Sequence, residues 1–406
     1  MDILEAKKLV VEAGKQLVSS GLIARTWGNV SCRIDSESFV ITPSGRAYES
    51  LTPDEIVLVK IADLAWEGDV KPSSEKGVHA QCYALRPECN FVIHTHQMNA
   101  SVVSAIGNDI HKLSDESRAL IGSCVPVASY GMPGTGKLIK GVKTAIESTD
   151  SKAIVMAHHG AVCLGKDYEE AFAIASELEN VCEQYIMRRY TTLTDKVAEN
   201  LHGLNDYAVN LIKRGKADVP AVKINCYDSV RSGGSLVVSD KDGVEKAEIA
   251  LKDGRLISGD KYPYEADIYR AIYNRREDVN CIIHSDLPDV VAVSKIGKTM
   301  KPLLDDFAQI VGVAVKNAEF STLETEKSGK KIAKKLKKGT NAILIKNNGA
   351  VCCGKDLDDA QAAEMVMDKG CKTELYANLF DKPKKISALD SKLMNVVYRL
   401  KYSKQK

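Results

Sequence analysis

The chain has 406 residues, 44% of them hydrophobic and 27% charged, with a formal net charge of +2. That length suits two domains of about 200 residues rather than one core, and the composition is that of a soluble globular protein. The near-balanced charge excludes the strong field that would draw in nucleic acid or an anionic membrane, and no apolar run approaches the ~20 residues that span a bilayer.

From the N-terminus, Ile3, Ala6, Leu9, Val10, Ala13 and Leu17 recur on one helical face between charges, so this is an amphipathic helix and not a signal peptide. FVIHTH (91–96) and AIVMAHHG (153–160) are apolar runs ending in polar residues, which predicts buried strands delivering side chains to a rim. A helix is predicted from Tyr168 to Met187, burying Ala171, Ile174, Ala175, Leu178, Val181 and Cys182. A linker falls near 195–205. The basic run Lys327–Lys338 has helical spacing and is a solvated helix face, and Leu389–Tyr402 forms a last amphipathic segment with a basic end. Eleven cysteines, an odd number without C-x-x-C spacing, point to reduced thiols and a cytoplasmic protein. Cys124, Cys163 and Cys281 sit in apolar runs, as small core residues do.

The chain is a diverged duplication. Residues 153–171 match 342–360 at 10 of 19 positions, with an offset of 189. Residues 75–107 align without gaps on 265–297, at an offset of 190 and 10 of 33 identities. Two matches in the same order at nearly one offset define two copies of one domain. The expected division is 1–198 and 199–385, followed by a tail over 386–406.

Chemistry concentrates in the first copy. His94-Thr95-His96 sets two imidazoles at i and i+2 on one side of a strand, and His158-His159-Gly160 ends another. Three neutral imidazoles and an open position are a usual ligand set for a catalytic divalent ion. Glu75, just ahead of the helix before the His-x-His strand, could bind that ion at rest or act as acid/base once substrate displaces it. The second copy keeps Glu265 and His284 but has Asp286, Asn347 and Asn348 opposite His96, His158 and His159. That is the pattern of a decayed metal site, so the first copy is expected to bind metal and the second is not. Gly131-Met132-Pro133-Gly134-Thr135-Gly136-Lys137 imitates a Walker A loop, but Leu138 stands where Ser or Thr would meet Mg²⁺.

Several segments together resemble the class II aldolase/adducin family over most of residues 1–195. They are Gly21-Leu22, Thr26-Trp27-Gly28-Asn29-Val30-Ser31, Ile41–Gly45, Leu51–Val57, Pro72-Ser73-Ser74-Glu75, His79, His94-Thr95-His96 and His159-Gly160. The resemblance implies a three-layer α/β/α fold with a mainly antiparallel central sheet, present here as two tandem copies. It implies His94, His96 and His159 as ligands of Zn²⁺ (or Mn²⁺ or Co²⁺), and Glu75 as acid/base. It also implies a phosphate cradle of Gly28, Asn29, Ser44, Gly45, Ser73 and Ser74, in which glycine lets backbone N–H groups approach an anion and Asn and Ser add neutral donors. The implied reaction is aldol cleavage of a keto-sugar phosphate through a zinc-stabilised enediolate, in a homo-oligomer (a dimer of duplicated chains or a tetramer). Epimerase, dehydratase and non-enzymatic adducin-like members share the pattern. The chain departs from it at Lys76-Gly77-Val78 after the glutamate, at His158 in place of the more usual asparagine, and in having no tyrosine between His96 and Tyr130.

Overall fold

The computed structural model describes residues 1–23, 27–214 and 222–402; Thr26 of the family pattern and the last four residues of the basic tail lie outside the described residues. It divides into two compact units, Met1–Val197 with the last residues from Leu400, and Ala198–Arg399.

Unit 1 begins with helix α1 (Ile3–Ser19) and the meander β1 (Gly28–Arg33), β2 (Ser38–Ile41) and β3 (Val57–Lys60). Then come α2 (Lys76–Leu85), β4 (Phe91–Thr95), α3 (Met98–Ile106), α4 (Asp115–Ile121) and β5 (Val127–Ala128). It closes with α5 (Gly136–Ser148), β6 (Ala153–Met156), β7 (Ala161–Gly165) and the long α6 (Tyr168–Thr194). The seven strands are ordered β3-β2-β1-β4-β7-β6-β5. All pairs are antiparallel except β5 with β6, so the mainly antiparallel sheet expected from the family pattern carries one parallel edge.

Period-two alternation builds the layers. Phe91, Ile93, Ala153, Val155, Ala161 and Cys163 join a core with residues of α1, α3 and α6. Their neighbours Val92, Ile154, Met156, Val162 and Leu164 pack instead with α2 and α5. Each central strand is therefore buried on both faces, and its sequence reads as a continuous apolar run. All six residues predicted on the inner face of α6 are buried, and the helix continues seven residues past Met187 to Thr194.

Unit 2 repeats the plan. Its strands are β8 (Asp228–Ser232), β9 (Ser235–Ser239), β10 (Glu245–Ala250), β11 (Leu256–Ser258), β12 (Cys281–Ser285), β13 (Asn317–Ala318), β14 (Ala342–Ile345) and β15 (Ala350–Gly354). Their order, β11-β10-β9-β8-β12-β15-β14-β13, is that of unit 1 with β11 added at one edge. Its helices are α7 (Asn205–Lys213), α8 (Ala266–Arg275), α9 (Pro288–Ser294), α10 (Thr325–Lys335), α11 (Leu357–Ala377) and α12 (Ala388–Val397). The segment predicted as a linker is largely structured, because Leu201–Leu204 make a 3-10 turn and α7 starts at Asn205. Helix α12 buries Ser391, Met394 and Asn395, while Leu389 and Leu393 of its apolar stripe face outward. The lysines of α10 point to solvent, with Lys327 and Lys330 paired to Glu324 and Glu326. No helix is long and apolar enough to cross a membrane among the described residues.

The duplication also preserves an arginine tie that neither sequence match contains. Arg33 donates from Nη2 to the carbonyls of Tyr83 (2.6 Å) and Arg86 (3.1 Å) and from Nε to that of Cys89 (2.8 Å). Arg231 binds the carbonyls of Tyr273, Arg276 and Val279 in the same way. Each arginine satisfies carbonyls at the end of the helix before the central strand, which have no partner within the helix. Arg33→Met is expected to destabilise unit 1 by about 2–3 kcal/mol in equilibrium urea unfolding, because the Tyr83 and Cys89 carbonyls lose their donor together, while that of Arg86 keeps the Cys89 N–H.

Candidate active site

The even-numbered side of β4 that carries Val92 also carries His94, and one step further His96, toward the α2 layer. Register places Asn29 of β1 beside His94. The third imidazole comes from the β6–β7 turn, closed by the Met156 N–H on the Gly160 carbonyl at 2.7 Å. That turn needs a left-handed residue, and His158 takes it with φ 63°; Asn347 holds the equivalent position in unit 2 with φ 61°. Asparagine adopts this conformation readily, which accounts for its being the more usual residue there. Gly160 is required for a different reason: a Cβ would run into the Thr95 carbonyl oxygen and press on the His94 ring. Glu75 sits at the N-cap of α2 with φ −102° and ψ 12°, in the sparsely populated bridge region, and its N–H donates to Ser73 Oγ at 3.2 Å.

These elements bring His94, His96, His159 and Glu75 together. The three ring centroids lie 4.7 to 4.9 Å apart, and His94 and His159 are stacked. Glu75 Oε1 is 2.8 Å from His159 Nε2, and Oε2 is 3.0 Å from His94 Nε2. His94 donates Nδ1–H to the Ala161 carbonyl at 2.8 Å, which leaves its Nε2 bare as the inward-facing atom, 3.1 Å from His96 Nε2. Three imidazoles and a carboxylate converging on one point are electron-pair donors that one shared cation can satisfy together. The donor set therefore fits a divalent ion, and it is the group of this kind found among the described residues. Burial alone raises the Glu75 carboxyl, but the His159 and His94 imidazoles outweigh it and hold the group well below the usual carboxylate range.

Of the six cradle residues, Ser44, Gly45, Ser73 and Ser74 lie on two adjacent loops, joined by the Ser44 N–H on the Lys71 carbonyl and the Ser73 N–H on the Thr42 carbonyl. Gly28 has φ 134°, and a Cβ there would clash with the His94 carbonyl. Asn29 differs from expectation, because its amide is engaged inward: Nδ2 donates to Glu75 Oε2 at 3.2 Å and Oδ1 meets His79 Nε2. Sequence reasoning placed His79 and Ser31 in the pattern without a role, and it overlooked Tyr83 behind them. The available signal was spacing, since Glu75, His79 and Tyr83 recur every four residues on one face of α2.

Unit 2 retains Glu265 and His284 in a different arrangement. His284 Nε2 donates to the Asn348 carbonyl at 2.8 Å, and its Nδ1 lies 3.0 Å from Tyr269 Oη, so both ring nitrogens are engaged within the unit and neither is left for a metal. Asn348 is itself tied to the segment before β8 through the Ile224 N–H and the Val222 carbonyl.

The class II aldolase and adducin N-terminal domain family matches residues 8–186 and again 227–375. The chain belongs to this family. It is 34% identical over 189 residues to a 5-methylthioribulose-1-phosphate/5-deoxyribulose-1-phosphate aldolase of Escherichia coli, covering 46% of this chain and 85% of the relative. It is 32% identical to the L-fuculose phosphate aldolase of Escherichia coli, over 45% of this chain and 85% of that protein. A solved L-fuculose 1-phosphate aldolase aligns with 29% identity and a TM-score of 0.43, over 46% of this chain and 87% of its own. The family match and the aldolase relatives place the chain among the class II aldolases, carbon–carbon lyases.

Two outcomes follow from the contrast between the copies. Metal analysis of the purified chain should find about one divalent ion per chain, lost in His94→Ala or His159→Ala and retained in His284→Ala. Burial holds His284 down to about 4, so the folded state stays neutral while the unfolded chain takes up a proton below about 6.5. The unfolded state then binds more protons, and His284 removes about 2–3 kcal/mol of stability as pH falls from about 6.5 to 4. Asp368, pushed up to about 6 by burial and by Asp289, works in the opposite sense. The effect is therefore read as the difference between wild type and His284→Gln in urea unfolding at pH 7.5 and 5.

Proposed function

We propose that the first copy, residues 1–198, is a metal-dependent aldolase that cleaves a keto-sugar phosphate, with residues 199–385 a non-catalytic second copy and 386–406 an appended tail. The observation that carries the reading is the convergence of Glu75 on His94, His96 and His159, in a chain whose relatives are named as sugar-phosphate aldolases. His94, His96 and His159 would hold the ion, Zn²⁺ by the preference of an all-imidazole set, or Mn²⁺ or Co²⁺, and when bound it supplies a Lewis acid for the substrate carbonyl.

Glu75 moves the proton. In the cleavage direction the carbon left with the electron pair must be protonated, and in the condensation direction the same proton is removed. In condensation the ionised carboxylate takes that proton from carbon; in cleavage the substrate hydroxyl that becomes the new carbonyl gives up a proton, and Glu75 must carry one in protonated form before delivering it to the carbon. Gly28, Ser44, Gly45, Ser73 and Ser74 surround the phosphate, which the serine hydroxyls and the N–H groups not already tied to Lys71 and Thr42 would bind, and Asn29 contributes by fixing Glu75 and the start of β1. Ser73 joins the two functions, because its hydroxyl accepts the Glu75 N–H.

Eleven unpaired cysteines support a reducing, cytoplasmic location. A homo-oligomer, either a dimer of duplicated chains or a tetramer, is consistent with a second copy kept as an interface partner, and a solution mass equal to one chain would remove that part of the proposal.

The test is incubation with a panel of keto-sugar phosphates that includes L-fuculose 1-phosphate and 5-deoxyribulose 1-phosphate. Release of dihydroxyacetone phosphate or glycolaldehyde phosphate supports the aldolase. Isomerised or dehydrated product with no cleavage would replace it with an epimerase or dehydratase, and a protein that holds no divalent ion after mild purification and stays inactive when one is added would indicate a scaffold. Glu75→Gln should lower kcat at least ~10³-fold with near-normal metal content. Full activity in that variant removes Glu75 from the reaction.

A further inference from the structure

Glu75, His79 and Tyr83 form one stripe along α2, and Asn29 and Ser31 form the facing stripe on β1. Hydrogen bonds close the two stripes into one chain. Tyr83 Oη meets Ser31 Oγ at 2.7 Å, Ser31 Oγ meets His79 Nδ1 at 2.6 Å, His79 Nε2 meets Asn29 Oδ1, and Asn29 Nδ2 reaches Glu75 Oε2 at 3.2 Å. His79 and Ser31 are fully buried, so no water competes for these bonds.

The chain of bonds has only one consistent direction. An ionised carboxylate can only accept, so Asn29 must turn its NH₂ toward Glu75 and its carbonyl oxygen toward His79. That oxygen requires an N–H, so His79 carries its proton on Nε2. Burial holds the ring down to about 3, which keeps it neutral and leaves Nδ1 as an acceptor for the Ser31 hydroxyl. Ser31 then accepts from Tyr83. Turning the amide over would set its oxygen against the carboxylate, a repulsion in a dry site that no tautomer of His79 relieves.

Unit 2 provides the control. Tyr269 occupies the position of His79, and its hydroxyl bonds the Tyr227 carbonyl and His284. Tyr273 Oη donates to the Ser229 carbonyl, and Glu265 takes the backbone N–H of Asn225. The fold therefore accepts another buried ring here, and the amide against the glutamate is lost in the copy that lost its imidazoles.

We infer that His79 is a positioning residue that acts through the Asn29 amide to hold the Glu75 carboxylate for proton transfer, an inference that rests on the role proposed above for Glu75. His79 makes no side-chain hydrogen bond to Glu75, and the bond that links the two runs through Asn29.

The test uses the metal-loaded full chain with L-fuculose 1-phosphate and 5-deoxyribulose 1-phosphate. His79→Leu is expected to lower kcat about 10²-fold, with KM within about 3-fold and metal content unchanged. His79→Gln, whose carboxamide can return an N–H to Asn29, should recover to within about 10-fold of wild type. In an Asn29→Ala background, adding His79→Leu should cost nothing further, because the route is already cut. Ser31→Ala removes a hydroxyl and no bulk, and an expected kcat loss of about 10-fold carries the test if His79→Leu does not fold. An unchanged kcat in His79→Leu, or the full His79→Leu loss repeated in the Asn29→Ala background, would overturn the inference while leaving the aldolase standing. A wild type that turns over neither phosphate would overturn both.

Discussion

The structure depends on placing an ionised carboxylate in a buried position among three imidazoles. Taking Glu75 out of water costs several kcal/mol unless partners compensate. The compensation comes from His94 and His159 on one side and the Asn29 amide on the other. Each partner arrives on a different element, so the site exists only when sheet register, the β6–β7 turn and the start of α2 are all correct. Gly160 and Gly28 mark where this convergence is tightest, because at both positions a Cβ would meet the backbone of β4.

The two copies separate what the fold requires from what the chemistry requires. Strand order, the left-handed residue in the β6–β7 type of turn and the arginine tie recur in unit 2, so these belong to the architecture. The imidazole cluster, the amide against the glutamate and the inward lone pair of the strand histidine do not recur. His284 shows how little change suffices: the ring is kept and buried, yet with both nitrogens bonded to Asn348 and Tyr269 it has become a structural residue.

Much of this was legible in the residues. Central strands buried on both faces read as unbroken apolar runs, and the inner face of α6 followed the helical period residue by residue. His94 and His96 share a side because strands alternate with a period of two. Less legible were segments whose pattern has two solutions. The stripe of α12 has apolar residues facing outward, since Met394 and Asn395 are the ones that reach the unit 2 core. The predicted linker holds a helix because Asn205 and Tyr376 both bond the buried Asp289, a contact across more than 80 residues of chain.

By itself the sequence determined the duplication, the two-sided strands and the set of imidazoles that could hold a metal. These follow from local periodicity and from the chemistry of single residue types. Only the tertiary structure decided that Asn29 turns inward to Glu75 and that His79 stands behind it. Only there, too, did His284 prove to be saturated. Hydrogen-bond direction depends on which donors and acceptors meet across the α2–β1 interface, and that juxtaposition joins residues about 50 positions apart that no local pattern connects.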